Sequence, residues 1–170
     1  MIEKNTMSGT VEAIYICSNG GAEMLSMASV VLEANAGIVD DRYHRDCGTF
    51  SKKLKDNPKR EITFIEQEEI DRFNREQACR LGAGQLRRNI ITRGIRLNEL
   101  QGKEFRIGKL RFQGIELCEP CTYLARTVEA RVLPHLTGRA GLRARILGGG
   151  QLAVGDRFSP QAYEDIEPQS

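Results

Sequence analysis

A mainly β domain with a few helices is the fold the sequence predicts, and three observations support it. Apolar and polar residues alternate with period two in Phe105–Leu117 and in Gly138–Leu147, the pattern of strands that bury one face, and Thr10–Cys17 is a β-branched run. Glycines break these runs at Gly108, Gly114 and Gly148–Gly150, where a chain of short strands has to turn. Helical spacing is confined to two stretches, 66–80 and 120–133. A chain of 170 residues suits one domain, and such a domain buries about two-thirds of its unfolded surface without needing metal or disulfide staples.

Residues 1–9 are expected to form a flexible N-terminus, 10–158 a single domain, and 159–170 an acidic, proline-containing tail that frays. Thr10–Cys17 is rich in β-branched residues and runs into Ser18-Asn-Gly-Gly21, a strand followed by a turn. Met24–Ala34 fits a strand or a short helix, because periodicity does not separate the two over so few residues. Gly37-Ile-Val-Asp-Asp-Arg-Tyr-His44 gathers two acids, Arg42, an aromatic ring and one of only two histidines. It reads either as a turn with solvated charges or as an anion site. Lys52–Arg60 is polar and basic and is expected to be a mobile surface loop without chemistry.

Glu61–Ile65 makes a brief strand, and Glu66–Arg80 a helix with Ile70, Phe73 and Leu81 toward the core. Gly82-Ala-Gly84 follows that helix and lacks a third glycine, so it reads as a helix cap and loop, not a dinucleotide loop. Arg87-Arg88-Asn89 stands just before an Ile-Ile strand. Arginine's planar fork suits phosphate oxygens, although exposed arginines in front of strands are also common. A helix is expected from near Pro120 to about Leu133, ended by Pro134–Gly138, and Gly148–Gly150 is expected to turn a β-hairpin into Gln151–Phe158.

Composition narrows the function. The formal charge of +2 and a pI near 8.3 fall short of the concentrated field that duplex nucleic acid demands. The absence of Trp and the few aromatics argue against a base-stacking platform. No apolar run reaches the length of a membrane span, and Met1-Ile-Glu-Lys-Asn-Thr6 lacks the order of a signal peptide. The expectation is a cytoplasmic protein without nucleic-acid or membrane partners. Five cysteines, with Cys17, Cys47 and Cys79 scattered singly, suit reduced thiols better than a disulfide framework.

Leu117-Cys118-Glu119-Pro120-Cys121 puts two thiols three apart where a strand passes into a helix. Cys121, Leu124, Val128 and Val132 share one helical face, with Cys121 in the first turn beside unpaired N–H groups, which favours thiolate there. Four readings compete for the pair: core packing, a zinc site, a thioredoxin-like redox pair, or one activated thiolate that ligates a soft metal or accepts sulfur. Zinc needs further close-spaced ligands and the redox pair a βαβ frame, and neither is evident around these residues.

The segments Gly37–His44, Arg87-Arg-Asn-Ile-Ile-Thr-Arg-Gly94, Leu100–Gly108, Cys118-Glu-Pro-Cys121 and Gly138-Arg-Ala-Gly141 through Gly150–Asp156 resemble, in order, those of the MOSC domain, the molybdenum cofactor sulfurase C-terminal domain. The resemblance implies a β-barrel-like fold with a few helices and a pocket for the pterin molybdenum cofactor. It makes Cys121 the catalytic residue and metal ligand, with Cys118 a frequent companion, and it places Arg87 and Asn89 near the phosphate and pterin. Arg42, His44 and Arg139, inside the same segments, are further candidate cofactor-binding residues. Where many members read Gly-Asp-Arg, this chain has Asp40-Asp41-Arg42.

The function implied is that of a molybdenum enzyme reducing N-hydroxylated compounds, served by a redox partner. The alternatives are a sulfur carrier holding a Cys121 persulfide for a donor or acceptor protein, and a non-catalytic interaction module. No lysine context suggests pyridoxal phosphate.

Overall fold

The computed structural model describes residues 9–159. The expected flexible start and acidic tail, apart from Gly9 and Ser159, lie outside the described residues. The strands are β1 (Thr10–Ile16), β2 (Leu25–Met27), β3 (Ser29–Glu33), β4 (Gly37–Ile38), β5 (Ile62–Glu66), β6 (Ile90–Arg93), β7 (Glu104–Ile107), β8 (Leu110–Leu117), β9 (Leu142–Gly148) and β10 (Gly150–Ala153). The helices are α1 (Gln67–Gln77), α2 (Thr122–Thr127) and α3 (Val132–His135). Seven strands form one sheet in the order β2-β1-β6-β5-β9-β8-β7, and three form another, β10-β3-β4. Every pair is antiparallel except β5–β6, whose parallel pairing uses α1 as its crossover.

The seven-stranded sheet curls into a half-barrel, as the barrel-like expectation requires, and the segment 155–159 ties β1 to the edge strand β7. On one side the Val11 N–H donates to Asp156 O (2.8 Å) and the Phe158 N–H to Gly9 O (2.9 Å). On the other the Gly108 N–H donates to Arg157 O (3.1 Å) and the Ser159 N–H to Arg106 O (2.9 Å).

Alternation along β5 sorts the core into two clusters. Phe64 points inward, where its ring meets Phe105, Phe112 and Phe158 at centroid distances of 5.6, 5.7 and 6.5 Å. Its neighbour Ile65 points the other way, into a cluster with Ile70 and Phe73 of α1, Leu124 of α2 and Val132 of α3. Met24–Ala34 resolves as β2 and β3, because each finds a partner strand, β1 and β10 respectively.

Two expectations are corrected. The glycines 148–150 do not turn a hairpin: β9 pairs with β5 and β8, whereas β10 leaves that sheet to pair with β3. Gly149 sits at the crossing, where a Cβ would run into the Leu32 carbonyl, so the glycines serve a sheet-switching corner. The helix after the cysteines ends at Thr127, well short of Leu133, and α3 starts anew at Val132. Pro134 explains the break. Inside one continuous helix it would clash with the carbonyl four residues back, but as the third residue of a new helix it lacks only an N–H that has no intrahelical partner.

Candidate functional site

Arg87 closes the 3-10 turn Ala83–Leu86 with φ +62°, a left-handed residue that turns the chain sharply into β6. This turn leads three consecutive polar side chains to one cavity of about 260 Å³. Arg87 donates from Nη1 to Ala22 O (2.7 Å) and from Nη2 to Cys17 Sγ (3.7 Å), which leaves the rest of its donors uncommitted. Arg88 is only 7% exposed. Its Nε donates to Ala140 O (2.9 Å), Nη1 to Leu86 O (3.2 Å), and Nη2 to Cys118 O (3.4 Å) and Glu119 O (3.3 Å). It is a buried cation satisfied by carbonyls, with no carboxylate pairing it among the described residues.

Asn89 stitches three strands together. Its Oδ1 accepts from the Thr63 N–H (3.2 Å) and Oγ1 (3.1 Å), while Nδ2 donates to Tyr15 O (3.1 Å). Both acceptor positions of the amide are thereby used, and one N–H remains.

The two cysteines line the same cavity from the end of β8. Cys118 is 1% exposed, and its N–H donates to Gly141 O (2.7 Å). Gly141 has φ +109°, and a Cβ there would overlap the Phe64 carbonyl, so only glycine allows β9 to enter beside Cys118. Cys121 is half-buried and packs against the helix-side cluster. It is the N-cap residue of α2, which starts at Thr122, two residues later than the expected start near Pro120, and its side chain makes no capping bond. With only six residues in α2, the case for activation by the helix end weakens.

Arg42 also reaches the cavity, held by Asp41 (3.2 Å), by Met24 Sδ (3.4 Å) and by Arg87 O (3.4 Å), with its guanidinium 4.7 Å from the centre of the Tyr43 ring. His44 and Arg139 are not in the lining. His44 Nε2 lies 3.1 Å from Glu33 Oε2 at the surface, and Arg139 is exposed beyond α3.

Sequence reasoning missed the opposite wall. The basic stretch 52–60, expected to be a loop without chemistry, supplies Lys53, Leu54, Lys59 and Arg60 to the lining, and β9 supplies Arg143. Phe50 meets Tyr123 edge-on at 6.3 Å, both rings lining the cavity. Nothing in the spacing of these residues marks them, because the loop and β9 meet only in the folded chain. Arg88 did carry a signal, since it stands between the two residues that were singled out. Beside this wall Glu61 is buried, and desolvation raises its pKa against the opposing Ile146 N–H and the Arg145 and Arg60 charges.

Among the described residues no three His, Cys, Asp or Glu side chains converge as a metal-binding group, and no helix is long and apolar enough to cross a membrane. No curated protein matches the sequence. Solved structures share the fold. YuaD from Bacillus subtilis is 17% identical with a TM-score of 0.73, over 89% of this chain and 94% of that one. YiiM from Geobacillus stearothermophilus is 13% identical with a TM-score of 0.64, over 88% and 73%. YiiM from Escherichia coli is 18% identical with a TM-score of 0.62, over 89% and 68%. The family model of the MOSC domain matches residues 51–159, which takes in the cationic wall, Arg87–Asn89 and both cavity cysteines, and the chain therefore belongs to the MOSC family.

Proposed function

We propose that this chain binds the pterin molybdenum cofactor in the 260 Å³ cavity with Cys121 toward the metal, and that it reduces N-hydroxylated small molecules in the cytoplasm with electrons from a redox partner. The observation that carries the reading is that Cys121 shares one cavity with Arg87 and Arg88, neither of which pairs with a carboxylate among the described residues. The donor chemistry fits the group. A thiolate is a soft, charge-donating ligand for an oxo-transfer metal, and uncommitted guanidinium N–H groups match phosphate oxygens. Asn89 fits less fully, since one N–H is all it retains for a pterin.

When bound, the group supplies a two-electron centre for breaking an N–O bond. The chain's own part is to orient and to exclude water. Arg88 pins the Cys118 and Glu119 carbonyls and so fixes the turn that carries Cys121. Phe50 and Tyr123 present apolar ring surface at the wall and limit access of solvent.

The setting of Cys121 favours this reading over the sulfur carrier. A persulfide passed between proteins needs to be presented outward, whereas Cys121 is half-buried in a cavity wall. An interaction module has no need of a buried cation without a counter-charge. Purification from a cofactor-competent host, followed by molybdenum and pterin analysis, tests the reading. Wild type should retain molybdenum and Cys121→Ser should lose it, and equal metal content in both would remove Cys121 as the ligand.

A further inference from the structure

The cavity has a second charged end that the cofactor reading does not use. Asn89 just before β6, Thr63 of β5, Arg143 of β9 and Glu116 of β8 lie in one row: Thr63 is bonded to Asn89 and pairs with Arg143, which in turn pairs with Glu116. Arg87 and Arg88 spring from the β6 end of that row. Arg143 springs from β9, two strand spacings or about 10 Å away. Around it Lys59 Nζ lies 3.0 Å from Glu116 Oε2, Arg143 Nε 3.8 Å from Glu116 Oε1, and Arg143 Nη1 donates to Lys59 O at 3.3 Å. Lys53 lines the same wall and pairs with no carboxylate among the described residues, while nearby Arg60 is matched by Asp46 at 2.8 Å.

Lys59 and Arg143 therefore share one carboxylate at this end, Lys53 has none, and the Glu119 carboxylate, the acid in the lining, is engaged by the Gly138 N–H, separately from the unmatched Arg87 and Arg88. One phosphate is satisfied by the few donors that surround it. Two groups of cations on backbones this far apart suit two anionic groups.

We propose that the compound which meets Cys121 carries a negative charge of its own, a carboxylate or a phosphate, held by Lys53, Lys59 and Arg143. The inference rests on Cys121 being the group at which chemistry occurs. A reductase of this kind would take acidic N-hydroxylated compounds in preference to neutral ones of the same size.

The test uses the whole chain made without cofactor and compares alkylation of Cys121 by iodoacetate, an anion, with that by neutral iodoacetamide, followed by peptide mass spectrometry. Both reagents draw on the same thiolate, so its ionisation cancels in the rate ratio. The ratio should exceed that of a small neutral thiol, fall in high salt, and drop roughly three- to fivefold in Lys53→Gln/Lys59→Gln, as expected for two charges removed at about 8 Å in water. Lys53→Gln alone, at an exposed position, should give a smaller drop without a change in melting temperature. Protection of Cys121 by inorganic phosphate against protection by acetate distinguishes the two anion types.

A ratio equal to the reference thiol, or unchanged in the variants, overturns the proposal, as does failure of both reagents to reach Cys121 in the folded protein. Loss of molybdenum from the lysine variants made in a cofactor-competent host would assign these lysines to the cofactor and overturn it too. Absence of molybdenum from wild type would instead defeat the cofactor reading and leave the ratio test standing.

Discussion

Arg88→Met is the substitution that most directly probes how the site is held. Methionine replaces the apolar stem of the arginine but supplies no donor, so the carbonyls of Leu86, Ala140, Cys118 and Glu119 lose their shared partner. The two bonds of better length, to Ala140 O (2.9 Å) and Leu86 O (3.2 Å), carry most of the loss. At about 1.5–3 kcal/mol for each hydrogen bond to a charged group, they sum to roughly 3–6 kcal/mol. The carbonyls of Cys118 and Glu119 belong to residues that line the cavity and regain water there. Relief from burying an unmatched guanidinium returns roughly 1–2 kcal/mol. The net destabilisation is about 2–4 kcal/mol, a fall in melting temperature of about 4–16 °C for a chain of this size.

Arg88→Lys keeps the charge without the planar fork and should fall between the two. Circular-dichroism melts with and without phosphate provide the assay, because an anion that binds the folded cavity raises the midpoint with its concentration. The phosphate increment should shrink in Arg88→Met and persist in part in Arg88→Lys. A variant that melts with wild type would show that the four carbonyls are satisfied without Arg88. A large fall in midpoint with an unchanged phosphate increment would show that its charge is not felt in the cavity.

Three further outcomes follow from residues around the site. Burial and the Glu69 and Glu68 charges push the Glu66 carboxyl up to about 7, against the Leu97 N–H and Arg96. A raised folded-state value means stability that is present below pH 4.5 and lost as pH climbs through 7. Glu66→Gln should therefore gain roughly 1–2 kcal/mol over wild type at pH 8, after allowance for partial solvent exposure, and much less at pH 5; an equal difference in melts at the two pH values would refute this. Gly141→Ala puts a methyl into the Phe64 carbonyl at a left-handed position and should cost about 2–4 kcal/mol by urea denaturation, with a near-neutral result meaning that β5 and β9 can part there. Cys121 should be labelled by iodoacetamide in the folded protein well before Cys118, which is 1% exposed, and Cys118 labelling first in mass-spectrometric mapping would reverse the roles.

What could be read from the sequence was local. Thr10–Ile16 declares itself a strand by its β-branched residues, and Phe105–Leu117 because it alternates over a surface that is half core and half solvent. Ile70 and Phe73 declare α1 by their spacing. The pairing of β10 with β3 joins Leu152 to Val30, and no local pattern encodes a partner so distant. A triple glycine announces only that the chain turns, whether into a hairpin or into another sheet. The site divides the same way. Arg87, Asn89 and Cys121 sit in short motifs, whereas Lys53, Lys59 and Arg143 are brought together by the β5–β9 pairing and the packing of the 3-10 turn Pro58–Arg60 against β9.

The closing segment 155–159 also sets how the domain yields to force. Arg157 bridges Thr10 in antiparallel register, and the Phe158 N–H is bonded to Gly9 O, so the backbone enters and leaves the half-barrel side by side. Tension on the two ends would load these bonds one after another, as a zipper is opened, without shearing them together. The barrel should peel at low force in a single-molecule pulling experiment. Tyr15, whose carbonyl receives Asn89, lies five residues along β1 from Thr10, about 17 Å from the point of entry. The cavity would stay assembled while the seam comes apart, and anything tethered to either end would hang at the far end of the barrel from its opening.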